Sequence, residues 1–427
     1  MKEAFYKKLN IDNFVFGVLL LYLFDMLMRD VFGLLFIDDN IIRLFVIIVS
    51  LIYLFYNVLI RKEKVFTLDM ILLIVLFGLS ICSVMSADFK IALPYVVSGH
   101  FIWFFLIYYY FRRLKDKNEL MKKLLITFFT IWVLSSFQTC ISFVLYFIES
   151  ILKVDLNLTS WTGKLINGRY SCFFPNPNPL GHLAFMGIAT AGLLISKSQK
   201  KLNKLILAGS IGINLIIMYL SNSRSAMLAV VSMVICIVIY LLLKYIKDKN
   251  SRRILVVGVI LVFILAIYYV IVSRFDGVLS FNNIEQFLDD ISSARYSIWK
   301  SIIIIKENNI LLGNGHGTLV ANSLRVLGEN AYIVREEIGI AHNIFFEVYY
   351  SMGLIGLIVF SSFFGFIVVK SVKLFNQTKS FETLYILLVL LGTIMISLLD
   401  AGILYSGFVS PLFWLLCGFV VSKQSKN

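Results

Sequence analysis

Residues 205–243 read LILAGSIGINLIIMYLSNSRSAMLAVVSMVICIVIYLLL. Two apolar runs, 205–221 and 225–243, flank one polar turn, and Arg224 is the single charged residue in the stretch. A helix needs about 20 apolar residues to cross roughly 30 Å of hydrocarbon, and each run comes close to that length. Lipid offers no partner to backbone N–H and C=O groups, so a spanning segment must satisfy them within itself. The runs lack the alternating polarity of a barrel strand, which leaves the helix. Working outward, the same pattern recurs. Candidate spans fall at about 14–36, 41–60, 66–86, 91–111, 124–148, 178–196, 205–221, 225–243, 254–272, 343–369, 383–399 and 407–421. The fold class is therefore an all-α polytopic membrane protein with about 12 transmembrane helices, forming a single integral-membrane domain over 1–427.

Composition agrees. Hydrophobic residues make up 59% of the chain and charged residues 15%, with a mean hydropathy of +0.89. Soluble domains carry roughly 25% charged residues. The net charge of +14 has to be read by side of the membrane, and it gives no reason to expect a nucleic-acid partner. Of the five cysteines, Cys82, Cys140, Cys236 and Cys417 fall in spans and only Cys172 in a loop, so no disulfide framework is expected.

Lysine and arginine set the orientation. With the N-terminus inside, the inner segments are 1–13, 61–65, 112–123, 197–204, 244–253, 370–382 and 422–427; they hold 26 of the 39 basic residues. Both termini are then cytoplasmic, and the first span reads as an uncleaved signal-anchor in the cytoplasmic membrane. All four histidines, His100, His182, His316 and His342, fall on the outer side. All five prolines lie at or just before the outer ends of inward-running spans, where a missing N–H costs nothing. The inner basic residues are 21 Lys and 5 Arg, the outer ones 5 Lys and 7 Arg. Lysine suffices to anchor to anionic lipid, whereas arginine's planar fork can grip two phosphate oxygens at once.

Two outer segments are long: a first outer loop at 149–177 and a large one at 273–342. Within the large loop, Ile291, Ala294, Ile298, Trp299, Ile302 and Ile305 recur at helical spacing, which predicts an amphipathic helix on the outer membrane surface. Gly313-Asn314-Gly315-His316-Gly317 resembles a dinucleotide loop only superficially, since no βαβ context surrounds it. Asp25 and Arg29 share a helix face in the first span, beside Asp30, and are expected to pair.

Four outer basic residues stand apart. Arg169 precedes Phe173-Phe174-Pro175-Asn176-Pro177-Asn178; Arg224 sits in the Ser-Asn-Ser-Arg-Ser turn; Arg295 lies on the surface helix; His342 stands in Ala341-His342-Asn343, where a span begins. Several of these segments precede outward-facing helix N-termini, whose N–H groups attract anions. Arginines and such termini together could cradle a pyrophosphate. The plain alternatives are arginines touching lipid headgroups and a histidine capping a helix.

The ordered set resembles the O-antigen polymerase and ligase superfamily (Wzy/WaaL-like). It comprises Gly168-Arg169 with the Asn-Pro-Asn block, Ser223-Arg224-Ser225-Ala226, Arg295 with Trp299, Leu312-Gly313-Asn314-Gly315, and His342-Asn343 followed by Gly353-Leu354-Ile355-Gly356. The resemblance covers about 168–360 and is closest to a capsular or O-antigen repeat-unit polymerase. It implies a GT-C-like glycosyltransferase acting on undecaprenyl-diphosphate-linked oligosaccharide, with no metal and no cofactor. It implies catalytic roles for His342, Arg295 and Arg224, substrate binding by Arg169, Asn178 and Asn343, and a chain-length regulator and a flippase as companions.

Chemistry points the same way. Outside the cell, activation has to arrive with the lipid, and a lipid diphosphate is a good leaving group. Fixed arginines can stabilise the charge that develops on it. A histidine is the natural base for the acceptor hydroxyl near neutral pH, with Glu336 and Glu337 as substitutes. Direct displacement would invert the anomeric centre. The large loop is expected to carry part of the active site. Two other readings compete: a ligase transferring finished glycan to another acceptor, and a lipid-linked oligosaccharide flippase, which would not require a large loop or one-sided clustering of His and Arg. A peptidoglycan polymerase of similar topology would rely on an outer aspartate, and no sequence motif pairs one with these arginines.

Overall fold

The computed structural model describes residues 11–32, 39–85, 96–150, 165–166, 168–174, 176–246, 294–305, 310–335, 338–400, 402–404 and 407–424, with single positions between 248 and 292. The first half of the chain forms α1 (Ile11–Phe32), α2 (Asp39–Phe55, continued by a wider turn Tyr56–Ile60), α3 (Leu68–Met85), α4 (Val96–Tyr108, wider than an α-helix, then Tyr109–Arg113), α5 (Lys117–Ser150), α6 (Pro177–Lys197), α7 (Lys201–Ser221) and α8 (Arg224–Tyr245). The second half forms α9 (Arg295–Ile305), α10 (Leu319–Leu327), α11 (Tyr332–Arg335), α12 (Ile344–Thr378), α13 (Phe381–Leu399) and α14 (Ser410–Gln424). A two-residue ladder, β1 (Leu165–Ile166) on β2 (Arg169–Tyr170), pairs Ile166 with Arg169. Eleven of the twelve expected spans have a helical counterpart among the described residues. Eight helices are long and apolar enough to cross a membrane, and the expected span at 254–272 lies largely outside the described residues.

Helices that are apolar all round belong at the centre of a bundle. Two fit: residues 99–111 of α4 and 410–420 of α14 are buried without exception. Trp414 of α14 joins them, its ring 4.7 Å from Phe104 and 5.5 Å from Phe363. Peripheral helices keep an exposed apolar stripe, as Val231, Val234 and Val238 do on α8. That pattern suits lipid and would be an aggregation hazard in water.

The segments grouped as inner by charge meet at one end of the bundle. Arg113 is ion-paired to Asp12 and, at 2.8 Å, to Glu63; Arg61 reaches Asp12 at 3.0 Å. Arg112 holds Asp69, which also accepts from Tyr108 at 2.6 Å. Lys197 pairs with Glu382 at the start of α13, and Ser422 of α14 donates to the Leu114 carbonyl beside Arg113. Asp25 is buried in α1, while the side chains of Arg29 and Asp30 lie outside the described residues, so their expected pairing is not described.

Helix α12 is broken near its start. Gly353 has φ 73° and ψ −169°, so the helical ladder cannot continue through it. The segment 310–315 supplies replacement partners. Asn314 N–H donates to the Tyr350 carbonyl at 2.9 Å and Gly315 N–H to Ser351 at 3.2 Å; in return, Leu354 N–H donates to Ile310 at 2.8 Å and Ile355 N–H to Leu311 at 3.3 Å. Irregular backbone in a spanning region is tolerated where such partners exist. The approach is so close that a Cβ on Gly353 would lie 2.1 Å from the Leu311 carbonyl oxygen, and one on Gly313 (φ 88°) would lie 2.2 Å from that of Ser351. The two glycine motifs are thus halves of one device.

Helix α9 forms where the amphipathic helix was expected, but its stripe faces protein. Ile298, Ile302 and Ile305 are buried against Leu319, Ile333, Ala341 and Tyr350. The expectation of a helix lying on the membrane by that stripe is corrected. Helical spacing reports that a face is buried, and here α10, α11 and α12 supply the surface that buries it.

Candidate active site

The opposite end of the bundle gathers the sequence-selected residues. Arg169 is fixed by β2 and by two hydrogen bonds: its Nε donates to the Ser221 carbonyl at 3.0 Å and its terminal nitrogen to Asn178 Oδ1 at 2.7 Å. Asn178 therefore orients an arginine. Arg224 opens α8 after a turn made tight by Asn222, which ends α7 in the left-handed conformation (φ 47°). Arg295 opens α9 directly after Ala294, another left-handed residue at φ 63°. Non-glycine residues rarely adopt that conformation, and such strain concentrates at functional sites.

Arg169 lies within electrostatic reach of both Arg224 and Arg295. Burial pulls the Arg169 pKa down, and Arg224 and Arg295 pull it down further. Arg295 is also lowered by burial, with Asp400 opposing that shift.

The helix N-termini differ from expectation. Asn176 Oδ1 accepts from Asn178 N–H at the start of α6. Asn343 Oδ1 accepts from Phe345 and Phe346 N–H at the start of α12. At α9, Asp289 accepts from Ser297 N–H at 2.7 Å and from its hydroxyl. These first turns are capped by the chain's own side chains. Helix α8 is the exception, since its N-cap Ser223 makes no capping bond. Its first turn begins at Arg224.

His342 caps nothing; Asn343 does. His342 stands one residue earlier in the left-handed conformation (φ 50°), half-buried, with Nδ1 3.5 Å from Asp400 Oδ1. The other Asp400 oxygen lies 3.8 Å from His182 Nε2, which is also 3.2 Å from Ser225 Oγ. Burial pushes the Asp400 carboxyl up, but His342, His182 and Arg295 together hold it below the usual carboxylate range. The loop is clamped on both sides. Ala341 N–H donates to Glu347 at 2.7 Å, and the Ala341 carbonyl accepts from the Trp299 indole at 2.9 Å. Trp299 in turn stacks on Phe346 at 5.1 Å. Asn343 Nδ2 donates to the Leu398 carbonyl at 3.0 Å, tying the start of α12 to the end of α13, two residues before Asp400. Both ends of the Asn343 amide are thus engaged by backbone, a positioning arrangement.

Asp400 and His182 are the residues that sequence reasoning missed. The absence of a motif pairing an outer aspartate with the arginines is superseded, because Asp400 faces Arg295 and both histidines. One signal was available: Asp400 is a carboxylate at the end of an otherwise uncharged span. Glu336 and Glu337 lie outside the described residues. Among the described residues, no group of three histidine, cysteine or acidic side chains is placed to hold a metal ion.

Comparison with known proteins fits this geometry. Residues 209–361, just over a third of the chain, match the family model described as O-antigen ligase. The matched stretch contains Arg224, Arg295 and His342 and bears out the resemblance to the O-antigen polymerase and ligase superfamily. No curated protein matches the chain at a significant level.

Proposed function

We propose, with the O-antigen polymerase and ligase superfamily as the premise, that this protein extends undecaprenyl-diphosphate-linked oligosaccharide repeat units by glycosyl transfer at the outer face of the cytoplasmic membrane. The observation that supports the reading is Arg169 within electrostatic reach of Arg224 and Arg295, with the His342–Asp400 pair beside Arg295. Like charges gathered in a half-buried place favour a polyanion that neutralises them, and a diphosphate fits.

In this scheme, Arg224 and Arg295 bind the diphosphate, with Arg169 held in line by Asn178. Asp400, 3.5 Å from His342 Nδ1, orients the ring and leaves Nε2 to act as base. The acceptor hydroxyl loses its proton to Nε2 as its oxygen attacks the anomeric carbon. The bond from that carbon to the phosphate oxygen breaks, and the lipid diphosphate departs with the electron pair. Displacement from the opposite face inverts the configuration. The arginines stabilise charge that grows on the leaving group, so they act chiefly in the transition state. The fold is GT-C-like on this reading, and the large loop at 273–342 contributes part of the site through Arg295 and His342. A chain-length regulator and a flippase would work beside it.

The family model's description favours a second reading, a ligase that transfers the glycan to a different acceptor. One experiment separates them. Purified protein is incubated with a lipid-diphosphate repeat unit alone. A ladder of repeats establishes polymerase. Donor consumed only after a second acceptor is added establishes ligase, and donor untouched in both arms sinks the enzyme reading.

A further inference from the structure

The catalytic reading leaves unused a cavity at the lysine-rich end. Helices α5, α6 and α7 pack against one another and leave a cleft of about 430 Å³ between them, lined by Leu125, Phe129 and Trp132 of α5 and Leu194, Ile206 and Leu207 of α6 and α7. Its remaining lining is polar and comes from one place: Lys197, Ser198 and Asn203, at the connection between α6 and α7. The size lies within the roughly 300–1,000 Å³ of ligand pockets. The cleft therefore has an apolar trough and a polar head in the geometry of an amphiphile.

Charge selects the kind of amphiphile. Lys200, Lys201 and Lys204 stand exposed on the same short connection, and Lys197 joins them. The nearby carboxylate, Glu382, is shared between Lys197 and Lys423, the latter at 3.7 Å, so the neighbourhood keeps an excess of positive charge. Basic pockets between transmembrane helices recognise anionic headgroups. The floor is formed by Trp132, whose indole donates to Ser210 at 2.8 Å and so holds the ring across the trough.

We infer that this cleft is a binding site for one anionic glycerophospholipid, its headgroup at Lys197, Ser198 and Asn203 and an acyl chain against Trp132. The site is separate from the arginine cluster, and its test does not depend on glycosyl transfer.

The whole protein is placed in phosphatidylcholine nanodiscs carrying a small, equal fraction of acyl-brominated phosphatidylglycerol or acyl-brominated phosphatidylcholine. Bromine quenches tryptophan on contact. The Trp132 signal is the difference between the parent and Trp132→Phe. The expected result is stronger quenching by the anionic lipid, corresponding to an about fivefold preference in site affinity for each lysine that engages it. Lys197→Gln should lower that preference, and Ile206→Phe, at an exposed position on the trough wall, should lower it without touching charge. Equal quenching by the two lipids in the parent overturns the site. So does a preference that survives both substitutions, and so does displacement by a polyprenyl phosphate but not by unbrominated phosphatidylglycerol.

Discussion

The two ends of the bundle both contain arginines, and they use them in opposite ways. At the lysine-rich end, Arg61, Arg112 and Arg113 each face a carboxylate, with Tyr53 and Tyr108 completing the shells of Asp12 and Asp69. At the histidine end, Arg169 lies within electrostatic reach of Arg224 and Arg295, and Asp400, near Arg295, is shared with two histidines. The first arrangement is complete in itself and holds helices together. The second gathers like charges near one acid that two histidines also share, the arrangement from which the diphosphate site is proposed. Arginine content alone could not tell them apart; the position of the acids does.

The sharpest break in this comparison lies at His342. Changing it to Gln keeps size and hydrogen bonding but removes the base, so elongation should fall on the order of a thousandfold while donor binding stays close to parental. Ladder formation and donor binding by the purified variant check both halves. Near-parental ladders would make His342 a structural residue.

Next come the arginines themselves. Arg224→Lys and Arg295→Lys keep the charge and lose the fork, and each should cost about a hundredfold in rate. Arg113→Lys is the mirror experiment: rate per folded molecule should stay near parental. Equal rate losses at both ends would erase the distinction between them.

Stability should split the other way. Arg113→Ala leaves Glu63 without this partner and Asp12 held by Arg61 and Tyr53, a loss of about 3 kcal/mol. Arg295→Met removes a charge that opposes Arg169 but also one that favours ionised Asp400, so the two effects offset and the thermal midpoint should move less than for Arg113→Ala. Thermal unfolding in one detergent measures both, and a midpoint drop for Arg295→Met as large as that for Arg113→Ala would contradict the comparison.

The smallest effect is in pH. Asp400 is held below its ordinary pKa, so its stabilising contribution is present above about pH 4 and is lost as pH falls through the lower folded value. Asp400→Asn should therefore be less stable than the parent near pH 7, and the gap should close on acidification. A gap that stays constant down to pH 3 would show that the carboxylate is not the source.

Much of this was legible in the sequence for a simple reason. Lipid forces a long apolar run into a helix, so spans such as 225–243 are read from length, and α8 covers Arg224–Tyr245. Arg169, Arg224, Arg295 and His342 stood out as outer basic residues within short polar motifs. Asp400 and His182 did not. Their meaning depends on three helix ends converging, and neither has a sequence neighbour that hints at a partner. Asn178 and Asn343 were visible as polar punctuation, but that they hold an arginine and a helix start emerged only from the hydrogen bonds. The direction of the α9 stripe was equally hidden, since protein and lipid both accept Ile298 and Ile302.

The break at Gly353 carries a consequence for biosynthesis. Its partners at Ile310–Gly315 emerge from the ribosome roughly forty residues before it does. Chains are made from the N-terminus at about 5–20 residues per second, so that stretch waits for seconds with its backbone groups unmatched. On the orientation expected from charge, Ile310, Leu311 and Leu312 would cross to the far side before the helix they pair with is made. The timing of synthesis thus places completion of the His342 loop among the last events of assembly, after most of the bundle that supports it already stands.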